Sequence, residues 1–292
     1  MDELNGAGVA LITPFNADGT IDFGGLEKLI DHQIKGGMDY LVSLGTTGET
    51  ATLSETERKS VWDFTARHAA GRIPLVAGIG GNNTAEIAHQ LTTFDTTGYT
   101  AILSVSPYYN KPTQEGIYQH YKALSAVTPL PLIIYNIPGR TGSNISPETT
   151  VKLARDFDNI IATKDASGSF DQFSRIMRDK PKEFLLISGD DPMTLPMMAL
   201  GAAGIISVVA NAFPREIAEL ARLCSAGDYA SARVMHNKLI RITELCFVEG
   251  NPAGIKNILT QLGICGGTVR LPLVEVSDAT KKAIISELEL LR

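Results

Sequence analysis

The sequence predicts an α/β fold, a (β/α)8 TIM barrel with a C-terminal three-helix appendage. Three observations point there. Eight short apolar runs recur along the chain, each compatible with a parallel strand buried on both faces. Helical patterns separate them, and strands alternating with helices imply right-handed βαβ units. Eight units favour closure over an open doubly wound sheet, and no Gly-x-Gly-x-x-Gly follows the first run, which weakens a dinucleotide-binding reading. The expected division is a barrel that carries the site over residues 1–224 and a helical region over residues 225–292.

The expected strands span residues 9–15, 40–45, 75–80, 100–107, 132–138, 160–166, 184–189 and 204–210. After the first, Leu26, Leu29, Ile30 and Ile34 fall at i, i+3, i+4 and i+8, the stripe of an amphipathic helix. Ser54 with Glu57 three residues on is a capping box that opens the next helix. Asn83 to Glu86 and Ser146 to Glu148 start further helices, the latter with Pro147 at its first helical position. The eighth unit ends near Arg222. Gly227, Asp228 and Tyr229 then open a long amphipathic segment through Phe247. Asn251 and Pro252 start another, ending near Gly263, and Ser277 and Asp278 cap a last one. This appendage lacks clustered catalytic groups, so packing or assembly is its expected task.

Composition narrows the classes. With 292 residues, 44% of them hydrophobic and 20% charged, the chain can bury a sizeable core, and an α/β barrel of this length is one domain. The net charge of −6 is spread along the sequence, which disfavours a nucleic-acid footprint of clustered Lys and Arg. Cys224, Cys246 and Cys265 are too widely spaced for a disulfide framework or a CxxC metal pair and are expected to be buried free thiols. The N-terminus lacks the pattern of a signal peptide, and no run approaches the ~18 apolar residues of a membrane span. A cytoplasmic protein with no membrane partner, metal or cofactor is expected.

In such a barrel the active site lies at the C-terminal ends of the strands. The fold assignment therefore gathers Thr46, Thr47, Tyr109, Tyr135, Lys164, Gly189, Asp190, Asp191 and Asn211 on one rim. Lys164 ends the sixth run. Taken alone it fits two roles: a rim lysine in a salt bridge or snorkelling to water, or a desolvated amine of lowered pKa that attacks a ketone to form a Schiff base. Two tyrosines and two threonines converging on a lysine suggest carbonyl chemistry by imine formation. The Gly45-Thr46-Thr47-Gly48 stretch would cradle a small carboxylate on exposed N–H groups. Glu49 beside it reads as structural, hydrogen-bonding the loop's own amides. Tyr108 reads as an interface residue and Lys111 as a solvated loop charge.

Four motifs carry a resemblance: residues 45–49 (Gly-Thr-Thr-Gly-Glu), 107–112 (Pro-Tyr-Tyr-Asn-Lys-Pro), 135–142 (Tyr-Asn-Ile-Pro-Gly-Arg-Thr-Gly) and 164–168 (Lys-Asp-Ala-Ser-Gly). In this order and spacing the chain resembles, end to end, the dihydrodipicolinate (4-hydroxy-tetrahydrodipicolinate) synthase family of pyruvate-dependent class I aldolases. The resemblance implies a condensation of pyruvate with L-aspartate 4-semialdehyde on the way to diaminopimelate and lysine. It implies that Lys164 forms the imine and that Tyr135, Thr46 and Tyr109 form a proton relay, with Tyr109 reaching a neighbouring subunit's site. It implies that Thr47 holds the pyruvate carboxylate, that Arg140 holds the semialdehyde carboxylate, and that Gly189 and Ile206 line the pyruvate pocket. A homotetramer, a dimer of dimers, is the implied assembly.

Departures from the family pattern are few. Asp165 stands where Glu more often follows the lysine, a mild change. Thr50, Ala51, Asn82, Glu86 and Tyr108 outline a lysine feedback site, but Glu55 and Arg58 stand where inhibited bacterial members often carry histidines. Arg58 is expected to repel the effector or to pair with Glu86, so weak or no inhibition by lysine is expected. The nearest rival is a sister aldolase, an N-acetylneuraminate lyase or a keto-deoxy sugar acid aldolase, against which residues 140–142 argue. A non-catalytic carboxylate-binding barrel and a phosphate-binding isomerase fit less well.

Overall fold

A computed structural model describes residues 2–291. Eight parallel strands close into a barrel in sequence order: β1 (Gly6–Ala10), β2 (Tyr40–Ser43), β3 (Leu75–Gly78), β4 (Ala101–Val105), β5 (Leu132–Asn136), β6 (Ile160–Asp165), β7 (Leu185–Ser188) and β8 (Gly204–Ser207). Each overlaps its expected run, and all eight stop earlier. The trailing residues of those runs keep their apolar character but leave the ladder to become rim loops. The first strand is displaced most. Pairing of Gly6 with Gly204 and of Ala7 with Ile205 starts the ladder ahead of residue 9. Residues beyond Ala10 then turn over the rim, where Thr13 Oγ1 donates to the Gly48 carbonyl at 2.7 Å.

The helices are α1 (Phe23–Gly36), α2 (Glu55–Ala69), α3 (Thr84–Thr93), α4 (Gln114–Ser125), the single turn α5 (Pro138–Thr141), α6 (Pro147–Asp156), α7 (Phe170–Asp179), α8 (Thr194–Ala199) and α9 (Pro214–Ser225). The capping box forms: Ser54 accepts from the Glu57 N–H while the Glu57 carboxylate takes the Ser54 N–H. Ser146 caps α6 with Pro147 at the first position, as its sequence requires. Asn83 precedes α3 without a side-chain cap. Three further helices follow, α10 (Tyr229–Phe247), α11 (Ala253–Gln261) and α12 (Asp278–Leu291).

Strand alternation divides the core. Val9, Leu41, Leu75, Ile102, Leu132, Ile134 and Ile205 face the helices, whereas Val42, Val76, Leu103, Ile133, Ala162, Ile187 and Ile206 pack together in the lumen. Tyr135 follows Ile133 by two residues and Lys164 follows Ala162 by two, so the period of two sends both inward at the upper end. Cys224 and Cys246 are buried and Cys265 is only half-buried; all three are free thiols. No described helix is long and apolar enough to cross a membrane.

Candidate active site

The loop over residues 44–49 is a strained turn. Residues 46–48 form one turn of 3-10 helix, bracketed by Leu44 (φ 59°) and Glu49 (φ 52°), both non-glycine residues in the left-handed region. Each such residue costs on the order of 1 kcal/mol and persists only where its surroundings over-determine it. Here Thr50 Oγ1 donates to the Leu44 and Gly45 carbonyls at 2.7 and 3.0 Å. Gly78 leaves room, because a Cβ there would lie 2.2 Å from the Leu44 carbonyl oxygen. The Gly48 and Glu49 N–H groups close on the Gly45 and Thr46 carbonyls. The N–H groups of Thr46 and Thr47, at the head of the turn, take no partner within the described residues. Thr47 is buried, and its hydroxyl accepts from Asn251 Nδ2 at 2.9 Å.

Lys164 lies opposite Tyr135 in the β5–β6 register, with Nζ 4.3 Å from the phenol ring centroid. It is buried, and desolvation lowers its pKa to about 8; Asp191 pulls the value up and Arg140 pushes it further down. Its ammonium has no ion-pair partner within the described residues. Gly189 makes space beside it, since a Cβ there would meet Lys164 Cε at 3.0 Å and Ala166 Cβ at 2.9 Å. Ile206 is buried in the same lumen. Burial pushes the Asp191 carboxyl up to about 6, although it accepts from the Ser207 hydroxyl and from the Val208 N–H at 3.0 Å. Burial also raises Asp190. Tyr135 is pushed up to about 12 by burial, tempered by a hydrogen bond with Thr46 and by the Arg140 charge, so it is a neutral phenol at neutral pH.

A cavity of about 540 Å³ reaches Tyr135, while Thr47, Lys164, Gly189 and Ile206 lie outside its lining. Thr46, Tyr135 and Arg140 line it, and it continues to Thr50, Ala51, Arg58, Asn82, Glu86 and Tyr108. Its size suits a small-molecule site. Arg140 sits on α5 with its side chain exposed at the mouth. Tyr109 is 89% exposed, its backbone in the left-handed region at φ 76°. Lys111 is exposed as well.

Comparison with known proteins follows this geometry. The family model described as the dihydrodipicolinate synthetase family matches residues 3–290. A 4-hydroxy-tetrahydrodipicolinate synthase of Parabacteroides distasonis is 52% identical, with 96% of this chain and 95% of the relative covered. The chain belongs to the dihydrodipicolinate synthetase family. Among solved family structures, the Aquifex aeolicus dihydrodipicolinate synthase superposes with a TM-score of 0.95 at 42% identity over 98% of both chains. The chloride-inhibited Acinetobacter baumannii synthase, solved with pyruvate, gives a TM-score of 0.96 at 38% identity over 99% of both chains.

Against the expectations for a family member, several placements differ. Glu55 is exposed on the first turn of α2 and does not line the cavity. Arg58 lines it but forms no ion pair with Glu86 among the described residues; its Nη1 donates to the Leu53 carbonyl at 3.0 Å, which keeps the guanidinium on its own helix. Asn211 leaves the substrate rim. Its buried amide takes the Ile12 N–H and donates to the Ala10 and Val208 carbonyls, which stitches β8 to β1. Asp165 sits on the strand face opposite Lys164 and accepts from Asn136, Gln172 and the Ser167 N–H, so its shorter side chain is fully used in anchoring β6.

Glu49 is structural in a way its neighbours in sequence do not reveal. Its carboxylate does not bond its own loop. Its carboxylate meets Lys256 Nζ at 2.5 Å and the Arg270 N–H at 2.9 Å. Asn251, Lys256 and Arg270 all come from the appendage, so the expectation that this region serves packing or assembly alone needs correcting. The missed signal was chemical. Lys256 is the sole charge in α11, among Ala253, Gly254, Ile255, Ile258 and Leu259, and a lone lysine on an apolar helix must find a buried acid.

Proposed function

We propose that this chain condenses pyruvate with L-aspartate 4-semialdehyde through a Schiff base on Lys164, giving 4-hydroxy-tetrahydrodipicolinate for lysine and diaminopimelate biosynthesis. The observation that carries the reading is Lys164 itself: a buried amine of lowered pKa, unpaired, facing a neutral tyrosine that lines a small-molecule-sized cavity. A fraction of it is already the free base at neutral pH, which attack on a ketone requires. The Acinetobacter baumannii relative binds pyruvate.

In this mechanism the Thr46 and Thr47 N–H groups and the Thr47 hydroxyl receive the pyruvate carboxylate. Lys164 Nζ adds to the keto carbon, and Tyr135 protonates the departing hydroxyl as water leaves. The imine acidifies the methyl group; the Tyr135 phenolate left by that step takes a methyl proton, which restores the phenol and gives the enamine, and the enamine adds to the aldehyde carbon. The aldehyde oxygen takes its proton from the Tyr135 hydroxyl, which Thr46 connects to Tyr109 of a neighbouring subunit. Ring closure by the semialdehyde's own amine at the imine carbon frees Lys164. Arg140 holds the semialdehyde carboxylate, where a guanidinium fork matches its geometry. The division between barrel and appendage near residue 225 and a cytoplasmic location belong to the same reading. So does a dimer-of-dimers homotetramer, in which the exposed Tyr109 finds its cover.

Borohydride reduction with pyruvate, followed by peptide mass spectrometry, tests the chemistry. A reduced adduct on Lys164 alone is expected; one on another lysine would overturn the mechanism. Initial rates with pyruvate and the semialdehyde, set against sugar-acid cleavage, separate the synthase from a sister aldolase. Tyr109→Phe is expected to lower turnover and leave the adduct intact, and full activity in a sedimenting monomer would refute the shared site.

A further inference from the structure

A buried ion pair is an unusual fixture for stability alone, because well-packed apolar groups of similar volume generally serve as well or better. The Glu49–Lys256 pair is wholly buried, with side-chain exposures of 1% and 0%. Glu49 is also the left-handed residue that terminates the strained 46–48 turn. Whatever fixes its carboxylate fixes the turn. Lys256 is itself fixed by a 2.8 Å bond to the Thr268 carbonyl and by the Phe15 ring 4.1 Å away. The Arg270 guanidinium adds to this rigidity: it sits 4.5 Å from the same ring, donates to the Gly19 and Thr52 carbonyls, and forks onto Glu57 of the α2 capping box. The Arg270 backbone N–H, rather than the guanidinium, donates to the Glu49 carboxylate at 2.9 Å. Asn251, from the same region, holds the Thr47 hydroxyl as an acceptor, which leaves that hydroxyl's proton for another partner.

We propose that Lys256 and Arg270 are positioning residues for pyruvate: from the C-terminal region they clamp Glu49, and through it hold the Thr46–Thr47 turn in the geometry that receives the substrate carboxylate. The proposal rests on the assignment of that turn as the carboxylate cradle. It predicts that the clamp sets pyruvate affinity as well as stability.

Removing one partner strands a buried charge, so Lys256→Met alone tests only folding. The informative variant is Glu49→Gln with Lys256→Met, which removes both charges at similar volume. It is expected to melt close to the wild type and to form the borohydride-trapped Lys164 adduct at saturating pyruvate. Its KM for pyruvate is expected to rise on the order of tenfold, because a misplacement of about 1 Å at a reacting site costs up to a hundredfold. Its KM for the semialdehyde should move far less. A purely structural pair would give wild-type KM values in the folded double variant, and that result overturns the proposal. Should the double variant fail to fold, Arg270→Lys decides, since it keeps the charge on a partly exposed side chain and removes the fork onto Glu57 that fixes the segment whose backbone N–H holds Glu49. A pyruvate KM raised about threefold at unchanged kcat is expected there, and an unchanged KM overturns the clamp. Absence of any Lys164 adduct in the wild type would instead overturn the cradle assignment beneath it.

Discussion

Two lysines are buried under the same barrel rim, and they are built for opposite purposes. Lys256 is surrounded by acceptors: the Glu49 carboxylate, the Thr268 carbonyl and the Phe15 ring face. Lys164 has a phenol ring, itself on the cavity wall, and a glycine that makes room for it. Burial lowers the pKa of both, yet only at Lys256 does a directly bonded carboxylate oppose the shift. At Lys164 the acid that opposes the shift, Asp191, is not bonded to the amine and divides its oxygens between Ser207 and Val208. Burial alone therefore does not make a nucleophile. What distinguishes Lys164, the proposed nucleophile, is that its hydrogen-bonding capacity is left unspent.

The sharpest break in this comparison is to remove each amine in turn. Lys164→Ala should lose activity by several orders of magnitude, the usual scale of combined nucleophilic and positioning effects. Its melting temperature should hold or rise, because an unpaired buried group is gone. Lys256→Ala should do the reverse first: truncating one member of a buried pair costs about 3–5 kcal/mol. Thermal melts and initial rates on both variants decide it. A Lys256→Ala protein as stable as the wild type would show that the pair is not a dominant anchor.

The pH dependence sharpens the contrast next. Addition to pyruvate needs the free base of Lys164, so kcat/KM for pyruvate should rise with pH and level off above about 8. The two charges near the amine act with opposite sign. Arg140 depresses the Lys164 pKa, so Arg140→Ala should move the limb to higher pH. Asp191 raises it, so Asp191→Asn should move the limb to lower pH. Arg140→Ala should also raise the KM for the semialdehyde more than that for pyruvate. Equal effects on both would mean that the arginine chiefly holds the loop that carries it. Limbs that stay put in both variants would remove Lys164 from the titration.

The same contrast explains what could be read from the sequence. The barrel was legible because apolar runs and capping signals are local: Ser54 with Glu57, or Ser146 with Pro147, need only their own turn. Lys164 and Tyr135 were legible because strand ends in a barrel converge by topology. Lys256 was not, because its partner lies far off in the chain and no pattern of period two or 3.6 encodes that pairing. Asn211 was misplaced for a related reason. Its position at the rim followed from the strand, but its side-chain direction depended on β1 closing against β8. Strand ends were overextended because hydrophobicity continues into the rim loops after the ladder has stopped.

The smallest expected effect concerns the far end of the cavity. There the neutral and acidic outline of Asn82, Glu86 and Tyr108 is shared with one cation, Arg58, while Glu55 stands outside. Without Glu55 to attract an ammonium, the two opposing charges expected from the sequence reduce to one. Arg58 is not neutralised by Glu86, so its charge remains directed against any cationic effector entering the cavity. At a partly wet surface such a repulsion is worth on the order of 1 kcal/mol, about fivefold in affinity. Free lysine should therefore inhibit weakly or not at all, and Arg58→Ala should strengthen inhibition by about that factor without changing the Lys164 adduct. Lysine titrations of initial rate on both proteins measure it. Strong inhibition of the wild type by sub-millimolar lysine would show that the Arg58 guanidinium turns away from the effector and that Asn82, Glu86 and Tyr108 suffice to hold it.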